Sequence, residues 1–247
     1  MSLCRTILYC GFHTCSILLR ETPKNLKGKK PSSQHWLTRQ LRDPYVEKAK
    51  QENYRCRSAF KLLEINERFG ILRPGMTVVD CGAAPGSWTQ VAVKKTNADG
   101  KDSEERKRGR VIAIDRLPIC SIEGATVIGN TDFTEEKAQE RLLGALEGKL
   151  ADIVMSDMAP NATGVREMDH ENIMKLAYAA LKFALGITRT EGNFIAKVWD
   201  GDLANQLEKD LSCFYKSVKV VRPGATRSES AEKFMLARGF RGLKIMS

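Results

Sequence analysis

Residues 77–93 read TVVDCGAAPGSWTQVAV. A β-branched run closes on an acid, Asp80, and then passes through the small residues Gly82, Ala83, Ala84, Pro85, Gly86 and Ser87. From residue 86 the pattern becomes helical, with Trp88 in its first turn. Strand, tight turn and helix in that order form the opening unit of an open α/β sheet, where the turn meets a ligand. Small residues let backbone approach that ligand closely, and the helix N-terminus favours an anionic group such as a carboxylate. A dinucleotide enzyme would present G-x-G-x-x-G, whereas this turn is Gly82-Ala83-Ala84-Pro85-Gly86. Pro85 within the turn argues against a pyrophosphate cradle, so a nicotinamide oxidoreductase is disfavoured.

Outward from this unit the chain alternates. Strand-type runs occur at 76–80, 110–115, 125–129, 151–157 and 193–199, and helical stretches are expected at 86–96, 134–148, 169–188 and 202–214. Such alternation makes a parallel sheet with helices on both faces. Two further strands, 216–223 and 232–240, are joined only by GATRSESA. Eight residues are too few for a parallel crossover, so this pair is expected to be antiparallel. The expected fold is α/β and Rossmann-like: a seven-stranded, mostly parallel sheet with a C-terminal antiparallel strand. One or two amphipathic helices are expected between residue 43 and the turn ILRPG, and TNADGKDSEERKRG (96–109) reads as a mobile surface insertion.

Acids recur where these strands end. Asp80, Asp115, Asp132 (followed by Phe133) and Asp157 close the first four. Asp115 lies 35 residues after Asp80, or about 20 once the insertion is removed, which is the usual position of an acid on ribose hydroxyls. An acidic sheet edge suits a cationic ligand, and a sulfonium is one. The fifth strand carries an anomaly, because FIAKVWDGD (194–202) sets Lys197 inside an apolar run. A buried ammonium needs a partner or loses its proton.

The net charge of +10 is unevenly placed. Residues 20–72 hold 13 Lys/Arg against 6 Asp/Glu and residues 216–244 hold 8 against 2, while 73–215 holds 18 against 22. Basic flanks around a mildly acidic centre suit an anionic partner. The seven cysteines form no CxxC pair and no even framework, which supports neither a zinc site nor a disulfide scaffold and suits an intracellular, reduced protein. No run approaches the length of a membrane span. Residues 1–20, with two arginines and no acid among Ser, Thr, Leu and Ile, fit a mitochondrial transit peptide. Residues 21–42 read as a basic linker, leaving 43–247 as the single folded domain.

The motifs DCGAAPGSWTQ, AIDRLP, VMSDMAPNATG, FIAKVW and RSESAEKFMLA together resemble the RrmJ/FtsJ family of S-adenosylmethionine-dependent ribose 2′-O-methyltransferases, over about 43–240. With its basic leader the chain is similar to the mitochondrial branch of that family. The resemblance implies catalytic roles for Lys61, Asp157, Lys197 and Glu232, with no metal. It implies a donor site for S-adenosyl-L-methionine at Asp80, Gly82, Ala83, Ala84, Pro85, Gly86, Ser87, Trp88, Asp115, Asp132, Phe133 and Asp157. The implied substrate is a uridine of mitochondrial large-subunit rRNA in the matrix, on free RNA or on the assembling large subunit, with no obligate protein partner. The loop GATRSESAE departs from the family's more basic link before the glutamate. Trp36, Tyr45 and Tyr54 are candidates to stack on bases. Two other readings remain open: an rRNA-binding assembly factor with incidental catalysis, and a tRNA 2′-O-methyltransferase of the same family. Lys61 as a lysine reaching to water and Glu232 as a solvent-facing strand residue are the plain structural alternatives.

Overall fold

The computed structural model describes residues 34, 37, 39–41, 43–102, 106–160 and 163–243. The leader, most of the linker and Trp36 lie outside the described residues. The chain divides into two compact units, Met1–Asp43 and Pro44–Ser247. In the first, the described residues 34, 37 and 39–41 are helical.

The second unit opens with two helices, α1 (Pro44–Gln51) and α2 (Ala59–Phe69). Pro44 occupies the first helical position, where a missing N–H costs nothing, and Gly70 ends α2 in the left-handed region at φ 60°. Then follow β1 (Thr77–Cys81), α3 (Ser87–Thr96), β2 (Arg110–Ile114), β3 (Ala125–Ile128), α4 (Glu136–Leu146), β4 (Ala151–Ser156) and α5 (Arg166–Ile187). The chain continues through β5 (Thr188–Trp199), α6 (Asp202–Phe214), β6 (Tyr215–Val221) and β7 (Glu232–Phe240).

The strands form one seven-stranded sheet in the order β3-β2-β1-β4-β5-β7-β6. The pairs from β3 to β5 are parallel, and β7 runs antiparallel to both β5 and β6. The terminal hairpin is therefore antiparallel as expected, but its second strand is internal and β6 takes the edge. The strand order reverses between β1 and β4, and open α/β sheets bind ligands at the carboxyl ends flanking such a point.

Side-chain alternation sorts the sheet into two faces. Phe194, Ala196 and Val198 of β5 join Met235 and Ala237 of β7 in one core, against α4, α5 and α6. Ile195, Phe234 and Leu236 join the other, beneath α2 and α3. β5 begins five residues before its apolar run. Thr188 pairs with Ala151, the register shifts, and regular pairing resumes at Asn193 opposite Ile153. Arg189 pairs with Asp152 across this irregularity. The base of the 96–109 insertion is pinned: Asn97 donates to the Arg106 carbonyl at 3.1 Å and accepts from the Asp102 N–H at 3.0 Å.

Candidate active site

Lys197 shares its sheet face with Ile195 and sits opposite Phe234 of β7. One face of β5 thus runs from apolar core to an ammonium at the carboxyl end, where Lys197 is only 9% exposed. Its partner is Asp157, one residue past the end of the neighbouring β4. The ammonium lies 3.0 Å from Asp157 Oδ1 and donates to the Asp157 backbone carbonyl at 2.6 Å. Burial opposes ionisation of Asp157, but the Lys197 and Lys61 ammonium groups and a Ser58 hydrogen bond outweigh it and hold the carboxyl below its ordinary range.

The second pair is formed by Lys61 of α2 and Glu232, the first residue of β7, at 2.5 Å. Both are buried, at 8% and 9% exposure, so neither the solvent-reaching lysine nor the solvent-facing glutamate describes this structure. Thr226 adds a weak donor to Glu232 at 3.4 Å. Two lysines and two carboxylates from α2, β4, β5 and β7 therefore converge as two ion pairs. Such a set is costly to bury and stable only when every charge is matched.

Ser58, which sequence reading passed over, completes the arrangement. Its hydroxyl donates to Asp157 Oδ2 at 2.6 Å, and its carbonyl accepts from Trp88 Nε1 at 2.9 Å. The carboxylate is thus held from one side by Ser58 and from the other by Lys197. Because Asp157 titrates below its ordinary range when folded, the stability it contributes is present above the ordinary carboxylate range and lost as pH falls. Replacing Ser58 by Ala should move the acid limb of the pH–rate profile to higher pH and slow turnover about ten-fold at neutrality. An unmoved limb in a well-folded variant would refute the orienting role.

The residues for which the resemblance implies a donor site divide by accessibility. Gly82, Ala84, Pro85, Asp115, Asp132 and Asp157 reach solvent, whereas Asp80, Ala83, Gly86, Ser87, Trp88 and Phe133 are buried behind them. Phe133 packs edge-on against Phe183 at 5.4 Å and Trp88 lies against Phe234 at 5.4 Å, so both rings serve the core. Asp115 holds the turn together, its two oxygens accepting from the N–H groups of Ala84 at 2.8 Å and Leu117 at 2.7 Å. Asp132 accepts from the backbone and hydroxyl of Thr134, which lower its carboxyl from the usual value.

The glycines admit protein as well as ligand. A Cβ on Gly82 (φ +77°) would sit 2.3 Å from Met158 Cγ, and one on Gly86 (φ +109°) would sit 2.7 Å from Arg55 Nη1. Arg55, a second residue missed in sequence, binds the carbonyls of Pro85, Cys120 and Ser121, each at 2.8 Å. It ties the glycine turn to the loop before β3, and nothing in the local pattern around Arg55 signals those long-range partners. Tyr45 and Tyr54, offered above for base stacking, pack on Phe60 at 5.5 and 5.8 Å.

Asp80 is fully buried, with Oδ2 accepting from the Thr89 hydroxyl at 2.7 Å and Oδ1 unpartnered among the described residues. Burial pushes its carboxyl up to about 7. A group that ionises near 4 unfolded and near 7 folded keeps a proton that the unfolded chain has released. The Asp80 contribution to stability should therefore be full below pH 4, fall by about 4 kcal/mol between pH 4 and 7, and level off above. Thermal melts of Asp80→Asn should lack this slope. An identical slope in the variant would reassign it.

The family model for FtsJ-like methyltransferases matches residues 54–240. The chain belongs to the FtsJ-like methyltransferase family. Within that family it is 55% identical over 223 residues to "rRNA methyltransferase 2, mitochondrial" of Drosophila melanogaster, covering 90% of this chain and 89% of that one. It is 46% identical to "Ribosomal RNA large subunit methyltransferase E" of Cereibacter sphaeroides, covering 91% of each. A solved Plasmodium falciparum protein named as a ribosomal RNA methyltransferase superposes with a TM-score of 0.67 at 25% identity, covering 77% of this chain and all of that one. The FtsJ-like match spans both ion pairs and the glycine turn.

Proposed function

We propose that this methyltransferase transfers a methyl group from S-adenosyl-L-methionine to the ribose 2′-hydroxyl of a uridine in mitochondrial large-subunit rRNA, in the matrix and during large-subunit assembly. The observation that carries the reading is the convergence of Lys61, Asp157, Lys197 and Glu232 as two matched ion pairs beside an acidic sheet edge. The names of the relatives support the RNA class, and the mitochondrial relative supports the compartment.

The residues present fit the donor. The unpartnered Asp80 oxygen behind the turn and the accessible Asp115 and Asp132 at neighbouring strand ends favour a cation carrying a ribose. Gly82, Ala84 and Pro85 would hold its amino-acid end, Asp115 its ribose and Asp132 its base edge. When bound it would supply a sulfonium methyl for transfer to the acceptor oxygen.

The chain's own groups then prepare that oxygen. Lys61 and Glu232, locked together, position the nucleotide. Asp157, fixed by Ser58, orients the 2′-hydroxyl, and Lys197 deprotonates or electrostatically activates it as the O–CH₃ bond forms and the methyl's bond to sulfur breaks. Such proton transfer contributes roughly 10²–10⁴-fold to rate. The departures in GATRSESAE leave all four residues present, and that loop binds back on the domain: the Thr226 hydroxyl donates to Glu232 at 3.4 Å and the Ala225 N–H to Glu64 at 3.1 Å.

The test is transfer of labelled methyl to mitochondrial large-subunit rRNA, assembling large subunits and tRNA in parallel, with a Lys197 variant as control. Label on rRNA or subunits that vanishes in the variant supports the reading. Label on tRNA alone would change the substrate. Donor binding without transfer to any RNA would favour an assembly factor.

A further inference from the structure

The face of the sheet that carries Lys197 and Glu232 extends beyond the end of α2. Past Phe234 and Leu236, Lys219 of β6 stands opposite Leu236, and Arg238 of β7 stands between Asn193 and Ser217. Arg68 and Phe69 of the last turn of α2 overhang this shelf. The cationic groups of Arg68, Lys219 and Arg238 lie 5.0, 5.7 and 5.8 Å from the centre of the Phe69 ring. No two of them are more than about 12 Å apart, at most about one and a half Debye lengths at physiological salt. Arg73 reaches toward the same helix end, 3.9 Å from where a Gly70 Cβ would stand.

Among the described residues no acid balances the cluster. Arg68, Lys219 and Arg238 make no ion pair among the described residues; Glu67 pairs with none of them, and Glu191 is taken by Lys216. The carbonyl end of α2 attracts cations, but a helix terminus carries only about half a charge. One aromatic ring offers two faces, so cation–π attraction, worth about 0.5–1 kcal/mol at exposed sites, does not account for a third cation. The ring crowded by cations is not left open for stacking. What the shelf lacks is an anion with several charged oxygens, spaced along a surface.

We propose that Arg68, Lys219 and Arg238, gathered on Phe69, form a second phosphate-holding surface for RNA flanking the acceptor nucleotide. The proposal rests on the RNA methyltransferase reading and deepens it. Six residues of β7 separate Glu232 from Arg238, which places the shelf about 20 Å from the acceptor pair along one face. The two basic flanks of the sequence meet here, Arg68 from residues 20–72 and the other two from residues 216–244. Phosphate contacts of this kind set register and carry no base preference.

The experiment compares two rRNA hairpins, one ending near the acceptor nucleotide and one extended by a flanking stem. Binding and methyl transfer are measured across a salt series for the wild type and for Arg68→Gln/Lys219→Gln/Arg238→Gln. On the extended RNA the variant should bind about 10–100-fold more weakly, and its log affinity against log salt should be shallower by about 2–3. On the short RNA the two proteins should match, with equal turnover at saturation and equal donor affinity. Arg68→Lys/Arg238→Lys should keep the wild-type slope. Equal slopes on an extended RNA that the wild type methylates would overturn the proposal and leave an acidic protein as the occupant. A slope difference without methyl transfer to any RNA would sink the enzymatic reading and leave the surface standing.

Discussion

Lys197→Ala should lower methyl transfer by about a thousand-fold or more while donor affinity stays within a few-fold. The size follows from what is removed. Lys197 is the cation facing Asp157 and, in the proposed mechanism, the group that meets the reacting hydroxyl; a preorganised base or electrostatic group in a dry site contributes on this scale. Donor affinity should persist because the accessible residues proposed for the donor, Gly82, Ala84, Asp115 and Asp132, lie in the turns after β1, β2 and β3, away from β5. Removing one member of a buried pair also destabilises the fold, so Lys197→Met, which keeps the packing volume, is the companion variant. If both variants lose donor binding in step with activity, the lysine is structural. If Lys197→Met is folded, binds donor and still transfers methyl at wild-type rate, the assignment of the activating role to Lys197 is wrong.

Gly82→Ala should be the most damaging single-methyl change to stability in the glycine turn. The added Cβ would lie 2.3 Å from Met158 Cγ and 2.9 Å from Met158 Cα, so side chain and backbone both have to move. Its positive φ adds about 1–2 kcal/mol for any L side chain, and overpacking adds about 1–3 kcal/mol. The total, about 2–5 kcal/mol, should lower the melting temperature by roughly 10 °C in a domain of this size. Met158→Ala on the same background should recover the side-chain part only, because the contact with Met158 Cα and the positive φ remain. A Gly82→Ala protein melting with the wild type would show that the loop after β4 does not cross the turn this closely.

Period and local pattern made much of this molecule legible in advance. Lys197 was conspicuous because an ammonium interrupts alternating apolar residues, and the same alternation places it on the α2 face. The brevity of GATRSESA required β7 to turn back. Its insertion between β5 and β6 was hidden, because hairpin length says nothing about which strand takes the edge. The start of β5 was missed because TRTEG is polar; that segment extends the strand through one bridge to Ala151 and the Arg189–Asp152 pair, both supplied by another part of the chain. Trp88 and Phe133 stand in motifs for which the resemblance implies a donor site, yet their rings fill the core and leave the small and acidic neighbours to face outward. Ser58 and Arg55 could not be found locally, since their partners lie 99 residues away in one case and up to 66 in the other. Side-chain chemistry was readable where a residue contradicted its surroundings and silent where it agreed with them.

The internal position of β7 sets an order of events in synthesis and folding. The strands from β1 to β5 can assemble from neighbours already made, but Glu232 arrives on the last strand to emerge and must enter between two that precede it. Closing so long a loop is entropically slow. Until it closes, Lys61 lacks its direct ion-pair partner, and the pair proposed to position the nucleotide does not exist. A chain ending before β7 would keep the residues proposed to hold the donor and lack Glu232, so in the proposed mechanism the wiring of the sheet would act as an integrity check on the finished polypeptide.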